Sequence, residues 1–185
     1  MSTLSNSGSF DKRLLSLHQS LGIPPDYLAA CRLPMCNEPE VLVDAELDHY
    51  QRLQKLTPEA FAAWTAMKLA AKQASVTLFL ISAFRGFQYQ HDLILGKLQG
   101  GRSIGDILKV NAAPGFSEHH TGRAVDIGTT ECDAVGIEFE NSLAFQWLSK
   151  NADGFGFTMT YPRDNPSGID YEPWHWCFSD PEQQL

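Results

Sequence analysis

Two short segments of this chain combine imidazole and carboxylate side chains at close spacing. His119 and Asp126 stand seven positions apart across a turn that contains a glycine, and Glu172 lies three residues before His175. Zinc binds imidazole nitrogen and carboxylate oxygen in a tetrahedron, and a catalytic site leaves the fourth position to water. The spacing therefore favours one zinc ion held by His119, Asp126 and His175. Glu172 would then be free to take a proton from water, whose pKa zinc lowers to about 7.

Strand geometry separates the two residues of the second segment. Residues three apart on a regular strand point to opposite faces, so Glu172 and His175 cannot both face one site from one strand. Glu172 is therefore expected in the turn before a strand that carries His175. Asp126 shares its strand face with Ala124 and Gly128, and these small residues leave room for a metal.

Helix and strand patterns are intermixed around these segments. Thr57-Pro58-Glu59 has the composition of a helix start, with a capping hydroxyl, a proline in the first turn and an acid at the positive end of the dipole. The apolar run 76–81 predicts a buried strand that leads into Arg85. Further strands are predicted over 123–128, 155–159 and 174–178, and further helices over 87–98, 103–108 and 139–153. This order predicts an α+β domain.

The chain divides into a cover and a core. Residues 1–56 carry scattered apolar positions that prolines interrupt, which predicts short helices and loops. Residues 57–185 carry the longer periodic segments and both chemical motifs. A length of 185 residues favours a single domain that contains both parts.

Composition excludes several classes of protein. Twenty-two acidic residues against 14 basic ones give a net charge of −8, which excludes broad electrostatic capture of nucleic acid. No apolar run approaches the roughly 20 residues that span a bilayer, so no membrane insertion is expected. The first two dozen residues lack the apolar core of a secretory signal, which predicts a cytoplasmic location if the native N-terminus is present. The four cysteines lack CxxC spacing and are expected to be reduced thiols, and the sequence leaves the oligomeric state open.

Three segments resemble the motifs of one enzyme family. SEHHTGRAVD matches the pattern SxHxxGxAxD, EPWHW matches ExxH, and SAFRGFQYQ resembles SGYR-x4-Q. In this order they are similar to the VanY-like zinc D-alanyl-D-alanine carboxypeptidases, and the resemblance runs from about Thr57 to Phe178. It implies an α+β fold in which a small antiparallel sheet carries the zinc site and packs with helices. Lysostaphin-type peptidases and the hedgehog signalling domain share that fold.

The resemblance also implies roles for individual residues. It supports one zinc ion per chain on the three ligands named above, with Glu172 as the catalytic base. Arg85 resembles the family arginine that polarises the scissile carbonyl and stabilises its oxyanion, a task for which the fixed donors of a guanidinium are suited. Ser117 matches a residue that holds the terminal carboxylate of the substrate. Gln90 matches a glutamine on the substrate side.

Two positions depart from the family pattern. The family usually continues its last motif as HWRYVG, whereas this chain places Cys177 after Trp176. Thr160 stands before Tyr161-Pro162, where the family often has arginine. These departures leave the metal site intact and bear on the choice of substrate.

The resemblance implies a zinc carboxypeptidase that releases a C-terminal D-alanine from peptidoglycan-derived peptides. Zinc-bound water, deprotonated by Glu172, would attack a carbonyl polarised by zinc and Arg85, and Glu172 would then protonate the leaving amine. The family pattern favours D,D-cleavage of D-Ala-D-Ala ends. A cytoplasmic location favours L,D-cleavage of tetrapeptides in muropeptide recycling, because free D,D-activity would destroy the cell's own precursors. L,D-cleavage is the favoured prediction.

Two other functions compete with this prediction. A stem-peptide endopeptidase of the phage type usually needs a wall-binding module or a wide groove, and no segment resembles such a module. A non-catalytic zinc-binding module, as hedgehog domains can be, has no use for an uncommitted glutamate such as Glu172. The cover formed by residues 1–56 is expected to act as a lid or pocket wall that limits access to short peptides.

Overall fold

A computed structural model of the chain describes residues 7–180, so residues 1–6 of the predicted cover and 181–185 of the predicted core lie outside it. The helices of the described part are α1 (Ser7–Ser20), α2 (Tyr27–Ala30), α3 (Pro58–Gln73), α4 (Phe87–Gln99), α5 (Ile104–Ile107) and α6 (Leu143–Asn151). The strands are β1 (Val43–Leu47), β2 (Leu53–Leu56), β3 (Phe79–Ser82), β4 (Ala124–Gly128), β5 (Phe157–Thr158) and β6 (His175–Phe178). Short 3₁₀ helices cover Glu118–Thr121, Ile137–Asn141 and Ala152–Phe155.

A four-stranded antiparallel sheet forms the centre of the molecule. Its strand order is β3-β4-β6-β5, so the two motif strands β4 and β6 are neighbours. Their register places Asp126 directly opposite His175, and Ser82 on β3 pairs with Asp126 from the other side. Side chains directly opposite each other on antiparallel strands have Cβ atoms about 4.5–5.5 Å apart. The predicted α+β fold with a small antiparallel sheet is confirmed, and the sheet brings the two motifs together.

Alternation along β4 divides the sheet into an apolar face and a polar face. Val125 and Ile127 are fully buried in a core cluster with Trp64 and Met67 of α3. A fully buried side chain of this size contributes about 1.5–3 kcal/mol relative to exposure. Because successive strand residues point to opposite faces, Asp126 faces away from this core. The apolar packing of α3 therefore fixes the strand that presents the carboxylate.

The start of α3 follows the predicted capping pattern. The Thr57 side chain accepts a hydrogen bond from the Ala60 amide, and Pro58 occupies the first turn. The Thr57 amide donates to the Gly122 carbonyl at 2.9 Å. Gly122 adopts a φ of 65°, and a Cβ at this position would lie 2.7 Å from Leu42 Cδ2. Only glycine is unstrained in this left-handed turn, which connects His119 to strand β4.

A second apolar cluster joins the N-terminal cover to the rest of the molecule. Leu21, Ile23 and Leu33 of the cover are buried against Ile94 of α4 and Phe116. This packing places the cover against α4 and the segment that precedes His119. The four cysteines are free thiols, as their spacing predicted.

The cover contains a β-hairpin where only helices and loops were expected. Strands β1 and β2 pair antiparallel, with an irregular register between Asp44 and Leu47. The strands are short and β1 is half exposed, so the sequence shows no sustained alternation that would predict them. The buried Asp48 carboxylate organises the connecting turn by accepting the Tyr50 and Arg52 amides at 2.8 and 2.9 Å.

The segment 139–153 also differs from the single helix that was expected. A 3₁₀ turn ends at Asn141, and α6 starts anew after Ser142. The Ser142 hydroxyl accepts a hydrogen bond from the Phe145 amide, so this serine acts as an N-cap and interrupts the helix. Within residues 7–180, no helix has the length and apolar character needed to cross a membrane.

Candidate metal centre and cavity

Three predicted ligands converge at the polar face of the sheet. His119 comes from the 3₁₀ turn before β4, Asp126 from β4 itself and His175 from the start of β6. One ligand atom from each lies within 4.8 Å of the others, and all three residues are buried. Within the described part of the chain, this is the only group of three such side chains close enough to hold a metal ion.

The His119 imidazole has one committed nitrogen and one open nitrogen. Nδ1 lies 2.6 Å from the Ala83 carbonyl, which only a protonated nitrogen can satisfy. Nε2 lies 3.2 Å from Asp126 Oδ2 without the alignment of a hydrogen bond, and among residues 7–180 this buried atom has no hydrogen-bond partner. Burial and the positive charge of Arg85 lower the His119 pKa to about 4. The ring is therefore neutral and aims a lone pair into the site, as a metal ligand must.

The His175 imidazole lies between two carboxylates. Nδ1 is 3.1 Å from Asp126 Oδ1, and Nε2 is 2.9 Å from Glu118 Oε2. Burial lowers the His175 pKa, but the two carboxylates outweigh burial and raise the pKa to about 10. A divalent cation would replace the Nδ1 proton while Glu118 keeps the Nε2 proton in place.

The types of ligand atom in this group fit zinc. Two imidazole nitrogens and one carboxylate are ligands that catalytic zinc sites use, with a further position for water or substrate. Burial raises the Asp126 pKa, but His119, His175 and Arg85 outweigh it and hold the carboxyl well below its ordinary value. The carboxylate is therefore ionised, and the buried nitrogen of His119 lacks only a partner that accepts its lone pair.

Glu172 borders the same cavity from the turn before β6. Its position outside the strand agrees with the spacing argument, and the His175 amide donates to its carbonyl at 3.1 Å. Burial raises the pKa of the Glu172 carboxyl to about 7, and the negative charge of Asp126 adds to this effect. A carboxylate with a pKa near 7 can both take up and release a proton at neutral pH.

Arg85 presents a partly open guanidinium to the cavity. Nη2 lies 3.7 Å from Asp126 Oδ2, and within the described residues the buried Nε has no hydrogen-bond partner. The Arg85 amide donates to the His119 carbonyl at 3.2 Å, so the backbone ties the arginine to the first motif. His120 supports the same loop, because its Nδ1 lies against the Arg85 carbonyl and its Nε2 accepts the Gly115 amide.

The two predicted substrate-binding residues also line the cavity. Ser117 is buried and makes no capping hydrogen bond to the 3₁₀ turn that follows it. Gln90 donates from Nε2 to the Ala112 carbonyl at 2.8 Å, which fixes its amide plane. Its buried Oε1 has no hydrogen-bond partner within residues 7–180, so the free atom of Gln90 is an acceptor.

The cavity measures about 400 Å³ and extends beyond the predicted residues. Tyr50 and Arg52 of the hairpin turn form part of its wall, as expected for the cover. Lys97 of α4 also borders it. Glu118 and Lys97 are functional candidates that sequence reasoning missed. In the sequence, only the position of Glu118 next to His119 indicated a role for it. Lys97 belongs to no motif, and its position in the predicted helix gave no indication of a role.

Comparisons with known proteins find similarity to carboxypeptidases. The family model for VanY, D-alanyl-D-alanine carboxypeptidase, matches residues 53–181. The Bacillus subtilis protein YodJ, whose name describes it as a carboxypeptidase, is 32% identical over 155 residues, which are 77% of this chain and 55% of YodJ. A D-alanyl-D-alanine carboxypeptidase of Enterococcus faecalis is 42% identical over 69 residues, which are 36% of this chain and 24% of that protein. This chain thus spans about half or less of the length of these curated relatives.

Solved structures share the fold over most of the chain. The LdcB LD-carboxypeptidase, whose structure was described in terms of peptidoglycan recognition, is 29% identical with a TM-score of 0.68, covering 78% of this chain and 71% of that one. The L,D-carboxypeptidase DacB of Streptococcus pneumoniae is 27% identical with a TM-score of 0.58, covering 70% and 69%. VanYB in complex with D-alanine-D-alanine, at 24% identity and a TM-score of 0.60, shows the same fold over 81% of this chain and 87% of its own.

Proposed function

Because the chain belongs to the VanY family of D-alanyl-D-alanine carboxypeptidases, we propose that it is a zinc-dependent carboxypeptidase acting on peptidoglycan-derived peptides. The reaction would release the C-terminal D-alanine. The observation that carries the proposal is the convergence of three buried ligands with Glu172 and Arg85 on one cavity.

His119, Asp126 and His175 would hold the zinc ion, with His119 contributing Nε2 and His175 contributing Nδ1. When bound, zinc supplies Lewis-acid polarisation of the scissile carbonyl and lowers the pKa of water. The hydrogen bonds that the distal nitrogens of His119 and His175 donate to the Ala83 carbonyl and the Glu118 carboxylate would fix the orientation of both rings.

Glu172 would act as the general base and then as the general acid. Its pKa near 7 suits a group that takes a proton from the attacking water and later gives it to the leaving amine of D-alanine. Arg85 would direct its guanidinium at the carbonyl oxygen, where negative charge develops. Stabilisation of such an oxyanion by a fixed donor is worth about 3–4 kcal/mol.

We further propose L,D-cleavage of tetrapeptides as the preferred reaction. LdcB and DacB, two solved structures above 25% identity, are named as L,D-carboxypeptidases, which supports this preference. D,D-cleavage of D-Ala-D-Ala ends is the second candidate, because the matching family is described by that activity. Residence in the cytoplasm remains a prediction from the sequence, and fractionation of cells that express the native gene would test it.

Mass spectrometry of purified muropeptides tests the proposed function. We expect the zinc-loaded protein to convert tetrapeptide to tripeptide with release of one alanine, and to convert pentapeptide more slowly or not at all. Faster conversion of pentapeptide to tetrapeptide would instead assign D,D-specificity. Cleavage inside the stem, or intact peptides after long incubation, would contradict the carboxypeptidase proposal.

A further inference from the structure

Lys97 is a cation in the cavity for which the reaction described above has no use. It lies in the last turn of α4, is half-buried and borders the cavity together with Glu172 and Arg85. Its Nζ donates to Asn111 Oδ1 at 2.9 Å. Asn111 is buried and donates in turn to the Ile107 carbonyl at 3.3 Å, so a fixed amide holds the ammonium group in place.

Lys97 has a neutral partner, whereas three other lysines are paired with carboxylates. Lys55, Lys68 and Lys109 each lie within 2.8 Å of an acidic oxygen. Among residues 12–180, whose side chains the structure describes, no carboxylate oxygen lies within 4 Å of Lys97 Nζ. A partly buried charge without a counter-ion is unfavourable, because burial removes water and no opposite charge replaces it.

Nearby positive charges make the charged form of Lys97 still less favourable. Burial and the positive charges of Arg102 and Arg85 lower the Lys97 pKa, while the negative charge of Glu172 opposes them. Arg85 is placed against Asp126, whereas the Lys97 ammonium has protons left after its bond to Asn111. An anionic group entering the cavity could therefore accept a hydrogen bond from Lys97 that no protein carboxylate occupies.

On the basis of the proposed function, we propose that Lys97, held by Asn111, binds the C-terminal carboxylate of the substrate peptide. The two cations then have different roles. Arg85 stabilises the oxygen of the scissile carbonyl, and Lys97 binds the carboxylate of the C-terminal residue that follows it. Ser117 would add a neutral hydroxyl donor to the same group. This arrangement selects peptides with a free C-terminus and so explains removal of a terminal residue in preference to cleavage within a stem.

Paired substrates test the role of Lys97. The probes are the tetrapeptide L-Ala-γ-D-Glu-diaminopimelate-D-Ala and the same peptide ending in D-alaninamide. We expect Lys97→Met to lower kcat/KM for the acid roughly 30-fold, mainly through KM, and to leave the amide nearly unchanged, because a hydrogen bond to a charged group is lost only with the acid. Lys72→Met is the matched control, since Lys72 is exposed and lies in the last turn of α3. An equal loss with acid and amide, or no loss with the acid, would overturn the proposal.

Two further measurements distinguish this proposal from binding of a different substrate carboxylate and from failure of the proposed function. A tetrapeptide with lysine in place of diaminopimelate tests the side-chain carboxylate of diaminopimelate, and a Lys97 effect that disappears with this peptide would refute the terminal assignment. Calorimetric binding of acid and amide to zinc-loaded Glu172→Gln protein, with and without Lys97→Met, does not require turnover. If the wild-type protein hydrolyses no muropeptide but Glu172→Gln binds the acid through Lys97, the proposed function fails and the carboxylate site stands. Binding without preference for the acid refutes the site.

Discussion

Replacing Glu172 by glutamine is expected to lower kcat for release of D-alanine by roughly several hundredfold or more, while zinc content stays unchanged. Glutamine keeps the shape of the side chain but can neither take a proton from water nor return it to the leaving amine. Burial raises the pKa of the Glu172 carboxyl to about 7. Glutamine has no ionisable group at this position and therefore cannot exchange a proton at neutral pH. Steady-state turnover of tetrapeptide and metal analysis of the same protein sample would measure both effects.

Glu40→Gln is a suitable control, because Glu40 is exposed and does not border the cavity. We expect this control to match the wild-type turnover. Unchanged kcat in Glu172→Gln would remove Glu172 from the mechanism, even with the metal in place. Loss of zinc from the same variant would show that Glu172 is a ligand, which contradicts its assignment as the base.

Replacing His119 by alanine is expected to weaken zinc binding by roughly several hundredfold and to abolish turnover at sub-saturating zinc. A structural zinc site with four ligands is worth about 10–16 kcal/mol, which is about 2.5–4 kcal/mol for each ligand, and a loss of this size gives the expected weakening. The open Nε2 of His119 is the buried atom that a metal would satisfy, and its Nδ1 is already committed to the Ala83 carbonyl. Competition with a chromogenic chelator would give the zinc affinity directly.

His49→Ala provides the comparison for this variant, because His49 is an exposed imidazole outside the candidate centre. We expect the control to bind zinc as the wild-type protein does. Wild-type zinc affinity in His119→Ala would show that the metal, if any, binds elsewhere. Circular dichroism of both variants would separate loss of the metal from loss of the fold.

The convergence of His119, Asp126 and His175 could be predicted because the three residues lie in compact motifs. His119 and Asp126 are joined by one glycine turn, and the motif that contains His175 needs only to pair with β4. Alternation along each strand determines which residues share a face, so residue type and spacing were enough to predict that Asp126 and His175 face one site. The position of Glu172 before β6 followed from the same alternation.

The environment of the ligands could not be predicted from spacing. Glu118 contacts His175 across 57 positions of sequence, and it also accepts the Thr160 hydroxyl at 2.7 Å. Burial raises the Cys177 pKa well above its ordinary value, and the charge of Glu118 is among the further causes. The two departures from the family pattern, Thr160 and Cys177, therefore meet at one carboxylate that orients His175, a proposed metal ligand. Only the tertiary structure brings these three residues together.

The hairpin and Lys97 were missed for a related reason. Strands β1 and β2 are too short and irregular to leave a pattern, although their turn places Tyr50 and Arg52 at the cavity. Lys97 is an ordinary residue for the end of a helix, and only its partial burial at the cavity without a carboxylate partner distinguishes it. Absence of a partner is a property of three-dimensional packing.

A zinc titration of chelator-treated protein measures most directly whether His119, Asp126 and His175 hold the ion that the reaction needs. We expect turnover of tetrapeptide to vanish on removal of the metal and to return in proportion to added zinc, with saturation at one ion per chain, as the single ligand group within residues 7–180 requires. Full turnover by protein that contains no measurable metal would contradict this assignment.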